Sequence, residues 1–372
     1  MSGRSTHRRA ASLVPLALCA VLLGARPAAA QAVIKVNDDV SFRLGLLAQG
    51  WADWNQDAAS EGYVQNLFLR RARIFLGGTV AKNVSFFFMT DNPNLGKAQP
   101  GLTKSLGTGF ILQDGYVEWK VSNEFQLQGG LILMPLCRNC NQSAASHLTL
   151  DYGTWSFQQS ASTQSSVGRD TGFQAKGYFL KDHLEYRIGA YQGFREASGR
   201  NAFRSVGRIM YNIFDVEKVQ FYPGTYLGKK KIVALGAGYD IQQDYNAFAA
   251  DAFVDWPVAG GNGVTFQADY IYYNGGKTFN VANLYSQNDF LVEAGFHVTA
   301  LKITPWVKYE SQNYTQDNRK VLDKENYQIG MTWYPYGQNF NIRAGYTYHR
   351  FPSPATTRNT NQFTVQLQAF YY

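Results

Sequence analysis

Asn201–Phe214 reads NAFRSVGRIMYNIF. Phe203, Ile209, Tyr211 and Ile213 share one parity, and Arg204, Arg208 and Asn212 share the other. Successive side chains of a strand point to opposite faces, so this stretch is a strand with one apolar face and one face carrying two arginines. The same period of two recurs along the chain. In His183–Gly193, Leu184, Tyr186, Ile188 and Ala190 oppose Glu185 and Arg187. In Gly263–Asn274, Val264, Phe266, Ala268, Tyr270 and Tyr272 oppose Thr265, Gln267 and Asp269. In Gln338–Arg350, Phe340, Ile342, Ala344, Tyr346 and Tyr348 oppose Asn341, Arg343 and Thr347, and the chain ends QFTVQLQAFYY in the same manner.

Alternation alone fits two all-β folds. A soluble sandwich buries its apolar face; a transmembrane barrel turns that face to lipid and keeps its polar face inside. Three features favour the barrel. The strands run about 10 to 14 residues, beyond the usual five or six of globular proteins and long enough to cross a bilayer when tilted. Aromatics make up 15% of the chain although its mean hydropathy is negative. Many of them (Trp51, Trp54, Trp119, Tyr191, Tyr211, Trp256, Tyr273, Trp306, Trp333, Tyr334 and Tyr348) fall towards strand ends, where interfacial girdles would sit. The connections also have a rhythm. Sixteen strands are predicted, at about 40–52, 66–79, 83–91, 109–121, 125–135, 169–180, 183–194, 201–214, 230–242, 246–256, 263–274, 288–299, 302–312, 325–335, 338–349 and 361–372. Short joints mostly follow the even strands and long ones the odd, as tight periplasmic turns and extended outer loops require. Two joints break the pattern: 215–229 is long where a turn is expected, and 243–245 is short where a loop is expected.

The expectation is therefore a transmembrane antiparallel β-barrel of about sixteen strands, its last strand closing on its first because an open edge cannot face lipid. A terminal aromatic strand also resembles the signal that barrel-assembly machinery reads. Tyr372 is one position out of step with the alternation ending at Tyr371, and a bulge near the end would reconcile the two.

Residues 1–30 read as a secretory signal peptide: Arg4, Arg8 and Arg9, a short apolar run, then small residues before a cut after Ala30. Residues 31–372 form the barrel domain. Removing the leader lowers the formal charge from +8 to +4, since it carries four arginines and no acid. So mild a basicity argues against nucleic acid as a partner. Cys137 and Cys140 remain, in the run CRNC. With no thioredoxin-like pattern around them and too few ligands for zinc, one exported disulfide is expected.

Leu67–Gly78, LFLRRARIFLGG, places Arg71 and Arg73 on one face and Ala72, Ile74 and Leu76 on the other. Arg70 has lipid-facing parity, so it must snorkel from a rim or find a partner. This run resembles the phosphate-selective porin O/P family of outer-membrane channels. So do LQDGYVEWK (Leu112–Lys120), GGLILMPL (Gly129–Leu136), VGRDTGFQAKGYFLKDHLEYRIGAYQG (Val167–Gly193), KKKIVALGAGYD (Lys229–Asp240) and DAFVDWP (Asp251–Pro257). The resemblance implies a homotrimeric outer-membrane barrel whose third outer loop, here about Pro135 to Gly168, folds inward and narrows the pore.

The implied function is passive diffusion of small hydrophilic solutes, anions foremost and phosphate or other oxyanions among them, with no cofactor or metal. Arg71, Arg73, Lys120, Lys176, Arg187, Arg204, Arg208 and Arg343 are the candidate pore-lining cations, with the pairs Arg71/Arg73 and Arg204/Arg208 foremost. Asp53, Asp114, Glu118, Glu185, Asp269 and Glu293 share the lumen parity, so the interior is not uniformly cationic. Lys229–Lys231 open a strand at the periplasmic rim and read as a solvated turn. His147, His183, His297 and His349 are scattered, with no spacing that commits a serine or aspartate to any of them, so no catalytic residue is assigned. A barrel hydrolase and a soluble exported β-sandwich binding protein are the competing readings.

Overall fold

The computed structural model describes residues 33–98, 104, 106, 107, 109–277, 284–352 and 358–372. The leader expected at 1–30 lies outside them. The strands are β1 (Val33–Lys35), β2 (Ser41–Gln56), β3 (Tyr63–Ala81), β4 (Val84–Asp91), β5 (Ile111–Lys120), β6 (Gln126–Leu133), β7 (Arg169–Phe179), β8 (Leu184–Tyr191) and β9 (Arg204–Asn212). They continue as β10 (Ile232–Gln242), β11 (Tyr245–Pro257), β12 (Gly263–Asn274), β13 (Gln287–His297), β14 (Ile303–Tyr314), β15 (Lys324–Trp333), β16 (Phe340–Arg350) and β17 (Thr360–Tyr371). Each of β2 to β17 pairs antiparallel with its sequence neighbour, and β17 closes on β2 with Leu367 opposite Gly50 and Tyr371 opposite Leu46. The result is a closed sixteen-strand barrel. β1 is a short addition that pairs with the start of β2, Val33 opposite Arg43. No helix among the described residues is long and apolar enough to cross a membrane, and closure satisfies the ladder without one.

The faces decide between the two all-β folds. Gln49, Asp53, Gln174, Asp240, Gln267 and Asn341 are wholly buried inside, while Leu67 is 80%, Ile329 59%, Ile209 58% and Leu367 49% exposed outside. Among the described residues, buried polar and charged side chains outnumber buried hydrophobic ones. In water this distribution would forfeit the hydrophobic driving force; in a bilayer the apolar exterior meets lipid.

Both irregular joints are real. One end of the barrel carries tight turns, such as 82–83 and 180–183, but also the long stretch 213–231. The other end carries the long connections, but also the two-residue turn 243–244 between β10 and β11. The aromatic expectation holds in part. Trp119, Tyr211 and Trp333 are exposed near strand ends, and Trp256 stacks edge-on against Phe214. Tyr191, Tyr273, Trp306 and Tyr334 instead fill the interior. Their parity matches the buried polar positions of their strands, and Trp306 Nε1 donates to Thr332 Oγ1 at 3.1 Å. Trp51 also faces inward, donating to Gln366 Oε1 at 2.7 Å.

Nor does a bulge reconcile the chain end. β17 pairs with both neighbours without a register shift, and Tyr372 turns into the lumen, its ring near the guanidinium of Arg43. A Cβ at Gly77 would lie 2.2 Å from Tyr372 Oη, so any other residue there would push the end of that side chain aside.

Register shifts do occur at three other places, one of them at Thr79 and Ala81 beside the β3–β4 turn. The β2–β3 register steps between Gln49, opposite Arg71, and Gly50, opposite Leu69. Arg70 is the extra residue. A bulge absorbs one residue and re-aims its neighbours, so Asn66 and Phe68 face inward before it and Arg71 and Arg73 after it. The β4–β5 register steps at Met89 and Thr90, opposite Asp114 and Leu112, which leaves Gln113 and Asp114 both buried.

Candidate functional site

The loop 134–168 leaves β6 and passes inside the barrel. Near its start the Cys137–Cys140 disulfide leads into a one-turn 3₁₀ segment at Asn139–Asn141. The wall opens to let it by: a Cβ on Gly238 would lie 2.0 Å from the Leu136 carbonyl oxygen. Buried polar groups of the wall then hold the loop. Asn139 N donates to Asp269 Oδ1 (2.9 Å) and Ser156 N to Glu310 Oε1 (3.1 Å). Thr149 Oγ1 donates to Glu293 (2.8 Å). Gln49 and Gln368 donate to the carbonyls of Ala144 and Ala145 (2.9 and 2.7 Å). The interior polar positions of β2, β12 to β14 and β17 thus serve as anchors, which satisfies backbone groups that burial would otherwise penalise.

The long joint 213–231 enters from the opposite end and meets this loop. Arg138 and Glu217, both fully buried, form a bidentate pair with two 2.8 Å bonds. Ser143 N donates to Tyr222 O (2.8 Å), Tyr222 N to Asn141 O (2.9 Å), and Gly224 N to Ser146 O (3.0 Å). Tyr222 Oη reaches Glu185 (3.1 Å). Loop and joint together fill the side of the lumen faced by β8 to β12.

Space remains on the other side. A cavity of about 600 Å³ lies towards the turn end, with Arg43, Arg73, Arg169 and Lys176 in its wall and Glu118 as its acid. A second, of about 550 Å³, lies towards the loop end, with Arg70, Arg71, Arg73, Lys97 and Lys308 against Asp91 and Asp151. Arg73 and Tyr152 line both. Around this shared waist, Arg73 Nε bonds Asp91 (2.8 Å), and Arg70 Nε bonds Asp151 (2.8 Å). Arg71 bonds Asp151 and, through Nη1, Gln49 (2.8 Å). Burial opposes charge on Asp151, but Arg70 and Arg71 more than offset it and hold this loop carboxyl well below the usual carboxylate range. Lys308 donates to the carbonyls of Asp151 and Tyr152 (2.9 and 2.8 Å).

The expected lumen cations therefore separate into groups. Arg71, Arg73 and Lys176 line the open space, the last paired with Glu118 at 2.7 Å. Arg204 and Arg208 do not line it, contrary to their expected role. They are locked to Asp240 and Asp251 (Nε 2.8 Å and Nη2 2.7 Å) on the filled side. Arg187 is bound there too, to Glu185 and to the carbonyls of Val219 and Gln220. Arg343 is buried beneath the loop, donating to Thr149 O at 3.2 Å. Lys120 is exposed at the turn end. Parity placed Arg71, Arg73, Lys176, Arg187, Arg204, Arg208 and Arg343 inward, but could not say which of them the inserted segments would cover.

Four contributors were not singled out from sequence: Lys97, Arg169, Lys308 and Asp151; Arg70, expected to snorkel or find a partner, pairs with Asp151. For Arg70 a signal was present, because the outward leucines Leu67 and Leu69 fall out of phase with Ala72, Ile74 and Leu76. Lys308 shares parity with the inward Trp306. Asp151 lies in an irregular loop and leaves no periodic trace.

The histidines are dispersed. His147 Nδ1 meets Gln142 Oε1 (3.1 Å), His183 Nδ1 the Asn212 carbonyl (2.6 Å), His297 Nδ1 Thr304 Oγ1 (2.9 Å) and His349 Nδ1 Asn326 Oδ1 (2.7 Å). Among the described residues no group of three His, Cys, Asp or Glu side chains could hold a metal ion. Lys230 and Lys231 sit at the rim, near the rings of Tyr226 and Trp256.

In sequence the chain matches no family profile and no curated protein. In structure it is similar to OmpF of Salmonella typhi, solved in complex with daunomycin, at 14% identity over 91% of this chain and 100% of that one, with a TM-score of 0.64. It is also similar to the outer membrane channel DcaP of Acinetobacter baumannii, at 11% identity, 91% and 99% coverage and a TM-score of 0.57. A third likeness is to OmpT, an outer membrane protein of Vibrio cholerae solved in a trimer form, at 8% identity, 90% and 100% coverage and a TM-score of 0.54. The chain has the sixteen-strand barrel fold of these outer-membrane proteins.

Proposed function

We propose that this chain is an outer-membrane porin, a passive diffusion channel for small hydrophilic solutes that prefers anions, oxyanions such as phosphate among them. The observation that carries this reading is the charge of the two cavities, which share Arg73 and Tyr152: bases exceed acids in both walls. An excess of fixed positive charge at the narrowest part of a pore raises the local concentration of anions and repels cations. The guanidiniums of Arg71 and Arg73 add planar donor forks suited to carboxylate and phosphate oxygens. The tight-turn end is assigned to the periplasm and the long-loop end to the outside. Export with cleavage after Ala30, insertion by barrel-assembly machinery and assembly as a homotrimer complete the reading. The fold shared with a protein described as an outer membrane channel supports it, and no catalytic step is assigned.

The test is the reversal potential of the purified protein in a planar bilayer under a KCl gradient. Discrete conductance steps and a reversal potential of anion-selective sign are expected. An intact barrel that never conducts overturns the channel; a cation-selective sign overturns the preference. Phosphate passing no better than chloride makes the protein a general anion porin.

A further inference from the structure

A diffusion channel gains from a polar interior, yet part of this one is aromatic. The inward parity of β3, β4, β5 and β17 places Phe75, Phe87, Tyr116 and Phe370 on the wall of the cavity at the turn end, the inner of the two. The rings touch in series: centroids are 6.3 Å apart for Phe75 and Phe87, 5.7 Å for Phe87 and Tyr116, and 6.0 Å for Phe75 and Phe370. The inserted joint adds Phe221, 5.9 Å from Phe87. Alternation would have allowed any polar residue at these positions, as it does elsewhere in the barrel.

We propose that the inner cavity is a binding site for small aromatic carboxylates, a single ring bearing one negative charge. The proposal rests on the channel reading and names a solute class for it. A volume of about 600 Å³ is that of a small-molecule site, and an aromatic lining with a few convergent polar groups is its usual composition. Arg43, with no acid partner among the described residues, supplies positive charge along the same wall, beside Arg73, Arg169 and Lys176, which are paired with Asp91, Asp114 and Glu118. The ion pair of Arg73 with Asp91 is made through Nε, which leaves its terminal nitrogens as donors to a carboxylate. A ring against Phe75 and Phe87 gains edge or offset contacts and releases water from apolar surface. An inorganic anion gains only the charge contact, and a neutral arene only the ring contact. The site therefore selects for both features together, on the periplasmic side of the waist.

Chloride current through single channels is measured while benzoate, acetate or benzamide is added. Benzoate is expected to halve the current at a concentration about tenfold or more below that of acetate or benzamide. Saturation-transfer NMR on the detergent-solubilised barrel reads binding without conduction and is expected to label the benzoate ring. Phe87→Ala should narrow the benzoate-to-acetate ratio by about threefold or more. Phe221→Ala, on the inserted joint and outside the barrel wall, should do the same and covers the case in which Phe87→Ala does not assemble. An anion-selective channel that treats benzoate and acetate alike overturns this proposal and leaves the porin intact. A barrel that does not conduct but transfers saturation to benzoate overturns the porin and leaves the site.

Discussion

Glu217→Gln should loosen the inserted joint and change the conductance of the barrel. Arg138 and Glu217 are both fully buried and share two 2.8 Å bonds. Arg138 also lies with its guanidinium 3.5 Å from the centroid of the Phe253 ring, so it cannot move to solvent without leaving that contact. Neutralising Glu217 strands a buried cation, and removal of one partner of a buried pair typically costs about 3–5 kcal/mol. Tyr226 Oη, which donates to Glu217 at 2.9 Å, loses a charged acceptor as well. The three backbone bonds between 141–146 and 222–224 remain as the main restraint. A cost of that size shifts the balance between seated and unseated joint by about two to nearly four powers of ten. The open level in planar bilayers should become larger and noisier, because the side of the lumen faced by β8 to β12 is no longer filled. Replacing both partners, Arg138→Met with Glu217→Leu, should restore the quiet wild-type level, since an apolar pair of similar volume removes the stranded charge. If Glu217→Gln conducts as the wild type does, or if the double variant is noisier than the single, the joint is not held by this pair and the reasoning fails.

Ile209→Arg should prevent formation of the heat-resistant folded band on detergent gels, because a cation on the lipid face near mid-bilayer costs about 2–4 kcal/mol. Gln328→Arg, which faces the outer cavity, should leave the band intact; equal behaviour of the two would contradict the assignment of faces. Arg71→Gln with Arg73→Gln should move the KCl reversal potential towards zero. Arg204→Gln should leave that potential unchanged and lower the unfolding temperature, since it abandons the buried Asp240 at about 3–5 kcal/mol. Deleting Arg70 should leave a folded barrel, because the alternation then runs unbroken from Asn66 to Arg73; deleting Ala72 should impair assembly on the same gels, because either register then sends an arginine to the lipid face.

The two inserted segments change the meaning of a lumen-facing residue. Asp269, Glu293 and Glu310 would read as pore-lining side chains in an empty barrel, yet here they take part in holding the loop. Arg187, Arg204 and Arg208 share the parity of Arg71 and Arg73 but contribute charge to a filled wall rather than to a path. That separation is the physical reason for placing selectivity on β3 and its neighbours rather than on β9.

Period-two alternation over some sixteen long segments determined the barrel, because register and closure follow from which face must meet lipid, and that is local information repeated along the chain. The phase slip around Arg70 recorded a bulge, and the two irregular joints, at 215–229 and 243–245, were already visible as breaks in the rhythm. The lumen was another matter. Whether 213–231 hangs outside or inserts, and whether Asp151 meets Arg70 and Arg71, depend on contacts between residues about 80 positions apart. No periodicity encodes such pairs, because a loop inside a closed wall is placed by whichever buried polar groups it satisfies. Tertiary structure alone decided which of the inward cations face open space.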